Sequence, residues 1–304
     1  MTQLARRLLR PLVLSVRAFY LRVDIVRLSL TNRSSHQSVT EPEGPVVSLT
    51  THSKRLKTVH LTIESIARGH QRPSRLILWL DNPSQFADLP IQLKRLQARG
   101  LEVKLSDKNY GPHEKYYPYL LSRESDNQTS ANRPLVTADD DILYPRRWLR
   151  DLLAAYRKAP DLVQCYRARV VNLTESALAP YSTWELCRSD QPSFLHCALG
   201  VSGVIYPPRL QDLIRLAGDS FEQSCPRADD LWLHVQAVRN GFQIRQLSPN
   251  PIHFPIVPGT EQQGLQHQNL HNQGNDEQAR KTYGVADINR LWSAANSSSS
   301  SASS

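Results

Sequence analysis

The chain has 304 residues, of which 40% are hydrophobic and 21% are charged, a composition ordinary for a globular protein with one large or two small domains. Lysine and arginine exceed aspartate and glutamate by 37 to 28, so the formal net charge is +9, which favours an anionic partner: a phosphate-bearing substrate, a membrane surface or nucleic acid. The four cysteines form no C-x-x-C pair, which excludes the usual zinc and redox motifs and favours free thiols.

The N-terminal segment, residues 1–30, is both basic and apolar. Its arginines lie among leucine, valine and isoleucine, but no apolar run approaches the roughly 20 residues that a membrane-spanning helix needs. Two interpretations stay open: an amphipathic helix on an anionic bilayer surface, or a solvated helix packed on the main domain. Pro11 interrupts the helical pattern. The polar residues 31–45 are predicted to form a linker.

Strands and helices alternate in the next part of the chain. The apolar patterns predict strands at 46–50, 75–81, 101–105 and 134–137, and helices at 56–67, 90–99 and 148–158. This alternation predicts an α/β fold with a mostly parallel sheet, in which ligands bind at the carboxyl ends of the strands. The part from 161 to 290 is less regular, with strands near 162–166 and 203–206. The serine-rich tail, 291–304, is predicted to be disordered.

Three consecutive aspartates, Asp139, Asp140 and Asp141, follow the predicted fourth strand. Because adjacent carboxylates repel one another, a positive group is expected beside them. Carboxylate oxygens prefer Mg²⁺ or Mn²⁺, so a divalent cation is one candidate. A solvated acidic turn is the alternative. The position at a strand's carboxyl end favours a functional site.

Two further charged motifs lie near the predicted ends of secondary-structure elements. Lys115 lies among tyrosines, where it could reach a phosphate, while Tyr116 and Tyr117 could line a base or sugar or simply pack against a helix. Asp229 and Asp230 open a helical pattern. Acidic residues are favoured at helix N-termini, so helix capping is the structural alternative to a catalytic role.

The ordered motifs resemble those of bacterial glycosyltransferases of the GT-A fold, close to family 2 and of the polysaccharide-biosynthesis type. The likeness covers residues 45 to 285. It rests on Leu-Thr-Thr-His with Arg55, Thr-Ala-Asp-Asp-Asp-Ile-Leu-Tyr-Pro, Gly-Val-Ser-Gly-Val-Ile-Tyr-Pro-Pro, Ala-Asp-Asp-Leu-Trp and Gly-Asn-Asp-Glu-Gln. The resemblance implies a Rossmann-like domain at 46–290, with a nucleotide-sugar half at 46–160 and a mixed acceptor half at 161–290.

The resemblance also implies an activity: an inverting, metal-dependent, hexosyltransferase-type enzyme that uses Mn²⁺ or Mg²⁺. A sugar would pass from a nucleotide-diphosphate sugar to a hydroxyl of a glycan or lipid-linked glycan in cell-surface polysaccharide biosynthesis. Asp230 would be the general base, with Asp229 raising its pKa. The implied metal ligands are Asp139 and Asp141 (the D-x-D pair) and His271. The implied donor-binding residues are Thr51, Arg55, Asp81, Lys115 and Asp140.

Two other classes of function stay open on the sequence. A metal-dependent nucleotidyltransferase or phosphotransferase would use the same aspartates. A non-catalytic basic module that binds membrane or nucleic acid would leave the carboxylate motifs without a purpose, and the basic residues lack the interleaved aromatics of a base-stacking platform. No nucleic-acid partner is therefore expected. The expected location is cytoplasmic, with possible peripheral contact with the inner face of the membrane.

Overall fold

A central sheet of seven strands organises the molecule in a computed structural model that describes residues 3–123, 132–175, 177–260 and 274–300. The strands of the protein are β1 Val46–Thr50, β2 Arg75–Leu80, β3 Leu101–Leu105, β4 Leu135–Thr137, β5 Val163–Cys165, β6 Ala168–Val170, β7 His196–Ala198, β8 Val204–Tyr206 and β9 Ile244–Gln246. The sheet order is β3-β2-β1-β4-β8-β5-β9, and β6 pairs with β7 in a separate two-stranded sheet.

The α-helices lie between and around these strands. They are α1 Gln3–Ser34, α2 Val59–Ala67, α3 Pro83–Ala87, α4 Ile91–Gln97, α5 Tyr117–Ser122, α6 Trp148–Lys158, α7 Pro208–Leu216, α8 Phe221–Ser224, α9 Asp229–Arg239, α10 Gly274–Thr282 and α11 Val285–Ser300. A short 3-10 helix, Gly111–Lys115, precedes α5. Among the described residues, none of the helices has the length and apolar character that spanning a bilayer requires.

Only β8 runs against the other strands of the central sheet. Its pairs with β4 and β5 are antiparallel, whereas the pairs β1–β2, β1–β4, β2–β3 and β5–β9 are parallel. The amino end of β8 therefore lies at the same edge as the carboxyl ends of β1, β4 and β5. The predicted α/β fold with a mostly parallel sheet is confirmed.

Strand β2 illustrates how the sequence produces a sheet buried on both faces. Leu76 and Leu78 point into one apolar cluster with residues of α2 and α4, while Ile77 and Trp79 point into the other. Successive side chains of a strand face opposite sides, so a continuous apolar run suits burial on both. Tyr116, Tyr117 and Tyr119 belong to the second cluster as core residues, which agrees with the packing alternative for this segment.

Several predicted boundaries differ from the structure. Helix α1 continues through Pro11 and ends at Ser34, beyond the predicted boundary at residue 30. The predicted linker is anchored, because Val39 is fully buried and its N–H donates to the carbonyl of Arg99. Predicted helix 90–99 ends earlier, as α4 at Gln97, and α2 begins at Val59 rather than at residue 56.

The prediction of a disordered tail from residue 291 was wrong up to Ser300, where α11 ends. Leu291 is fully buried and anchors this helix to the domain. Ser293 and Ser297 donate their hydroxyls to carbonyl oxygens one turn earlier in the same helix. Serine content alone therefore misjudged this segment, because the side chains satisfy themselves within the helix.

The turn before β8 requires glycine at position 203. Its φ of +91° lies in the region that favours glycine, and an added Cβ would come within 2.6 Å of the Trp148 ring nitrogen. That nitrogen donates to the carbonyl of Ser202. Trp148 also stacks on Tyr144, with ring centroids 4.1 Å apart. These contacts hold the start of β8 beside the end of β4, where the aspartate triplet begins.

Candidate active site

Asp140 is held at the sheet edge by residues that follow β1. Its carboxylate accepts hydrogen bonds from Thr51 Oγ1 and Arg55 Nη1, both at 2.6 Å. The backbone carbonyl of Asp140 accepts a third bond from Thr62 of α2, at 2.9 Å. The side chains of Asp140 and Arg55 are almost fully buried. Three residues predicted to bind the donor, Thr51, Arg55 and Asp140, are therefore in direct contact.

Asp141 shares the guanidinium of Arg55, with Arg55 Nη2 2.9 Å from Asp141 Oδ2. The same Nη2 donates to the carbonyl of Thr260. Burial raises the pKa of Asp141 to about 7, and the charge of Asp139 adds to the effect. The carboxyl group of Asp141 is thus short of positive charge even with Arg55 beside it.

Asp139 forms an ion pair with a different cation, the buried Lys115. Lys115 Nζ lies 2.9 Å from Asp139 Oδ1 and 3.1 Å from Asp229 Oδ2. The backbone N–H of Asp139 donates to the hydroxyl of Tyr144, which fixes the chain direction after β4. Burial opposes the charge on Lys115, but Asp139 and Asp229 raise its pKa well above the ordinary value. Lys115 therefore joins the aspartate triplet to the start of α9.

Asp230 lies on the far side of this cluster and accepts a 2.9 Å hydrogen bond from the N–H of Gly200. A Cβ on Gly200 would lie 3.1 Å from Asp230 Oδ1, 3.2 Å from Lys115 Nζ and 3.8 Å from Asp139 Oδ1. These distances put the two carboxylate motifs in one site. Asp229 and Asp230 occupy the first turn of α9 without capping it by a side-chain hydrogen bond, so capping does not explain them.

Negative charge exceeds positive charge in this cluster. Burial raises the pKa of Asp229, and burial together with Asp229 raises the pKa of Asp230 well above its ordinary value. The described residues place five carboxylates around two cations, Lys115 and Arg55. The carboxylates are Asp139, Asp140, Asp141, Asp229 and Asp230. Such an imbalance suits an additional cation or a proton-accepting role.

The oxygen chemistry of the triplet fits a hard divalent cation. Asp139 is the most exposed of the carboxylates in contact with Lys115 and Arg55, and the pKa of Asp141 is raised first by burial and then by the charge of Asp139. Within the part of the chain that is described, no three His, Cys, Asp or Glu side chains already form a cage for a metal. Mg²⁺ and Mn²⁺ are commonly held by one or two carboxylates together with substrate phosphates, so a complete cage is not required.

Two predicted site residues remain, Asp81 and His271. Asp81 follows β2 and accepts a hydrogen bond from Asn109. His271, the predicted third metal ligand, lies outside the described residues. All four cysteines are free and buried, as expected.

Sequence reasoning missed two residues that shape the site, Gly200 and Glu114. Gly200 had no signal beyond its place in the Gly-Val-Ser-Gly motif. Glu114 is buried next to Lys115, and its carboxylate accepts from Thr50 Oγ1 at 2.6 Å and from the N–H of Tyr110 at 3.2 Å. Burial, with help from Asp81, raises the pKa of Glu114 to about 7. A single glutamate in an aromatic segment gave no pattern to detect.

Comparison with known proteins gives a likeness to solved structures. No protein-family model matches the chain, and no curated protein matches it. Among solved structures, the chain is similar to the mannosyltransferase PcManGT from Pyrobaculum calidifontis in complex with GDP-Man and Mn²⁺. The TM-score is 0.48 at 13% sequence identity, over 86% of this chain and 71% of that chain. Because both values are low, the function proposed below rests on the geometry of the site.

Proposed function

We propose that the protein is a glycosyltransferase that moves a sugar from a nucleotide-diphosphate sugar to an acceptor hydroxyl. The observation that carries this proposal is the convergence of Asp139 and Asp230 on Lys115 and Gly200 at the sheet edge. The motif Asp139–Asp141 offers oxygens for a cation beside a diphosphate. The motif Asp229–Asp230 offers a carboxylate of raised pKa at the same sheet edge. A nucleotide-sugar reaction needs both functions within a few ångströms.

In this proposal Asp230 takes the proton of the acceptor hydroxyl. The hydroxyl oxygen bonds to the anomeric carbon while the bond from that carbon to the phosphate oxygen breaks. The nucleoside diphosphate leaves with the electron pair, and a single in-line step inverts the configuration. A raised pKa makes Asp230 a stronger base than an ordinary carboxylate, and its bond from Gly200 orients the carboxylate.

Asp139 and Asp141 are the proposed ligands of Mn²⁺ or Mg²⁺, which would stabilise the negative charge of the leaving diphosphate. Thr51 and Arg55 hold Asp140 between these two ligands, and so set the direction of the triplet. Lys115 contacts both Asp139 and Asp229 and places a positive charge between them in a buried setting. In this proposal all of these side chains act before the transfer step, by holding the metal or by holding the aspartates in place.

Donor turnover tests this proposal directly. The protein would be incubated with a panel of nucleotide-diphosphate sugars, with and without Mn²⁺, and release of nucleoside diphosphate would be followed. We expect Asp141→Asn to lose metal-dependent donor binding, and Asp230→Asn to keep donor binding but lose transfer. Asp88→Asn is the matched control, since that side chain is 94% exposed. Turnover of no donor by the wild-type protein, or normal transfer by Asp230→Asn, would contradict the proposal.

We also propose that the enzyme works at an anionic membrane surface and uses α1 to bind it. One face of α1 packs on the domain through Leu21, Ile25 and Leu28, which contact Leu61 and Leu143. The opposite face is exposed and apolar. Its exposed residues are Val16, Phe19, Tyr20, Val26 and Leu30.

The charge of α1 favours lipid over a second protein chain. The helix carries seven arginines and one acidic residue, Asp24, which binds Arg68 of the domain. Arg22 and Arg27 flank the exposed apolar face, where a second copy of α1 would bring like charges together. A cavity of about 570 Å³ lined by Arg27, Arg68 and Arg146 lies beside it, suited to lipid phosphates.

Vesicle binding tests the role of α1. We expect the protein to sediment with phosphatidylglycerol vesicles and not with phosphatidylcholine vesicles, and the double variant Phe19→Ser/Tyr20→Ser to lose this binding. Arg157→Gln, an exposed change on α6, should bind as the wild type does. Equal binding by the double variant would contradict the proposal. A second contradicting outcome would be a stable wild-type dimer that the double variant converts to a monomer, with neither protein binding vesicles.

A further inference from the structure

Two arginines lie at the same sheet edge as the carboxylate cluster, on the side away from β1. Arg167 follows β5 by two residues, and Arg169 lies within β6. Strands β4 and β5 both run antiparallel to β8, so their carboxyl ends lie at one edge. Residues two apart in extended backbone project to the same side. Both arginines therefore lie at the edge where Asp139 and Asp230 meet.

Backbone contacts place Arg167 close to the proposed base. The carbonyl of Arg167 accepts a 2.8 Å hydrogen bond from the N–H of Leu199. The next N–H along the chain, that of Gly200, donates to Asp230. The guanidinium of Arg169 lies over the ring of Tyr181, 5.3 Å from its centroid. Burial raises the pKa of Tyr181, and the charge of Asp230 contributes, so this ring lies within electrostatic reach of the base.

The two arginines lack the carboxylate partners that other arginines of the domain have. Arg55, Arg75 and Arg99 each form an ion pair. Among the described residues, neither Arg167 nor Arg169 has a carboxylate within 4.0 Å, and the buried Nε of Arg167 has no hydrogen-bond acceptor. Arg169 donates instead to the carbonyl of Trp184 and to the hydroxyl of Tyr181.

This arrangement carries an energetic cost in the absence of an anion. Half-buried cations without counter-charge are unfavourable, and an unmade hydrogen bond of a buried donor adds to the cost. Consistent with this, burial lowers the pKa of Arg167, and Arg169 lowers it further. A guanidinium pair of this kind matches the oxygens of a phosphate or a carboxylate, because its planar N–H groups can donate two parallel hydrogen bonds.

We infer that Arg167 and Arg169 bind an anionic group, a phosphate or a carboxylate, carried by the acceptor substrate. This inference rests on the function proposed above. The donor-side residues Thr51 and Arg55 follow β1, which lies three strand positions from β5 in the sheet order. With strands about 4.8 Å apart, that separation is about 14 Å. The pair is thus on the acceptor side of Asp230 and not beside the donor diphosphate.

Three sugars that differ only at C6 provide the probes: glucose 6-phosphate, glucuronate and glucose. Binding would be measured by titration calorimetry with Mn²⁺ and a saturating nucleoside diphosphate present, UDP and GDP in separate runs, so that the donor site is filled. We expect at least one anionic sugar to bind about tenfold or more tightly than glucose. The better of the two then identifies phosphate or carboxylate as the recognised group.

Variants assign this preference to the arginine pair. Arg167→Gln and Arg169→Gln should each reduce binding of the anionic sugar to the level of glucose, while Arg167→Lys should retain part of the preference because it keeps the charge without the planar fork. Arg157→Gln is the matched control on α6. Unfolding temperatures of all variants would show that the fold is intact.

Equal binding of the three sugars by the wild-type protein, or an unchanged preference in both Gln variants, would overturn the inference. The assay needs no turnover. If the anionic sugar binds through Arg167 but no donor is ever turned over, the proposed function fails while the anion site stands. If a donor is turned over but no anionic preference exists, the anion site fails alone.

Discussion

Lys115 Nζ lies 2.9 Å from Asp139 Oδ1, a contact that joins the end of β4 to the 3-10 helix before α5. The same ammonium lies 3.1 Å from Asp229 at the start of α9. Sequence considerations placed Lys115 against a phosphate of the donor. The structure gives it a different immediate role, since it is the buried counter-charge that allows two carboxylate motifs to approach each other.

Removing this ammonium should affect both stability and activity. Lys115→Met leaves Asp139 and Asp229 facing each other without a cation, and breaking a buried pair in this way costs about 3 kcal/mol. We expect the free energy of unfolding in urea to fall by about that amount, and donor turnover to fall at least about 100-fold. Lys158→Met, exposed on α6, is the control. Wild-type turnover in Lys115→Met would show that the ammonium is not needed.

Gly200→Ala should slow transfer with little loss of stability. Its Cβ would crowd Asp230 Oδ1 at 3.1 Å and Lys115 Nζ at 3.2 Å, so both groups must shift by a few tenths of an ångström. Misplacement of a catalytic group on this scale lowers kcat by about tenfold, whereas donor affinity should be unchanged. Steady-state kinetics and thermal unfolding check both expectations.

The control for Gly200→Ala is Gly284→Ala, whose Cβ would meet its nearest atom only at 3.7 Å. It should leave both kcat and the unfolding temperature as they are in the wild type. If Gly200→Ala had the kcat of the wild type, the geometry around Asp230 would be less demanding than the close contacts indicate.

The sequence predicted the first half of the fold well because its strands are continuous apolar runs. The run Arg75 to Asp81 was expected to be a strand buried on both faces, and β2 is Arg75–Leu80. Periodicity reports such strands directly. Composition, in contrast, gave the wrong prediction for α11. Its serine content suggested disorder, but composition does not record that Leu291 is buried on one face of the helix.

Sequence spacing alone could not predict that the two carboxylate motifs lie close together in space. Asp141 and Asp230 are 89 residues apart in sequence. Their motifs meet through Asp139, Lys115 and Asp229, because β8 runs against its neighbours and brings Gly200, which binds Asp230, to the edge where β4 ends. Direction of a three-residue strand has no sequence signature. The aspartate triplet itself was predicted to need positive charge, and the structure shows that the chain supplies part of it through Arg55 and Lys115.

Glu114 should make stability depend on pH between about 4.5 and 7. Its pKa is raised from 4.5 to about 7 by burial and by Asp81, so the folded protein holds the proton more tightly than the unfolded chain. The free energy of unfolding then falls as pH rises through this window. Glu114→Gln keeps an acceptor for Thr50 but cannot ionise. At pH 8 it should be more stable than the wild type by about 1 to 3 kcal/mol.

Urea unfolding at pH 5, 6, 7 and 8 measures this effect. Glu114→Gln should flatten the fall in stability, whereas the exposed control Glu43→Gln should follow the wild-type curve. Parallel curves for the wild type and Glu114→Gln would show that Glu114 ionises at an ordinary pH in the folded protein.

A second buried carboxylate, Glu64 of α2, contacts Asn32 of α1 and Arg99, which follows α4. Variants of this pair test how much a buried ion pair contributes to stability. Glu64 is fully buried, lies within hydrogen-bond distance of Arg99 on both carboxylate oxygens, and accepts from Asn32 of α1 at 3.0 Å. Arg99→Leu leaves this carboxylate buried without a cation, so stability should fall by about 3 to 5 kcal/mol.

The double variant Glu64→Gln/Arg99→Leu should be more stable than Arg99→Leu alone, because it removes the stranded charge and keeps the bond from Asn32. The exposed pair of α10 is the comparison: Lys281→Ala, which breaks its contact with Glu277, should cost less than about 0.5 kcal/mol. Urea unfolding of the wild type, Glu64→Gln, Arg99→Leu and the double variant gives the coupling energy. Additive losses would mean that Glu64 and Arg99 act independently, which would contradict the prediction.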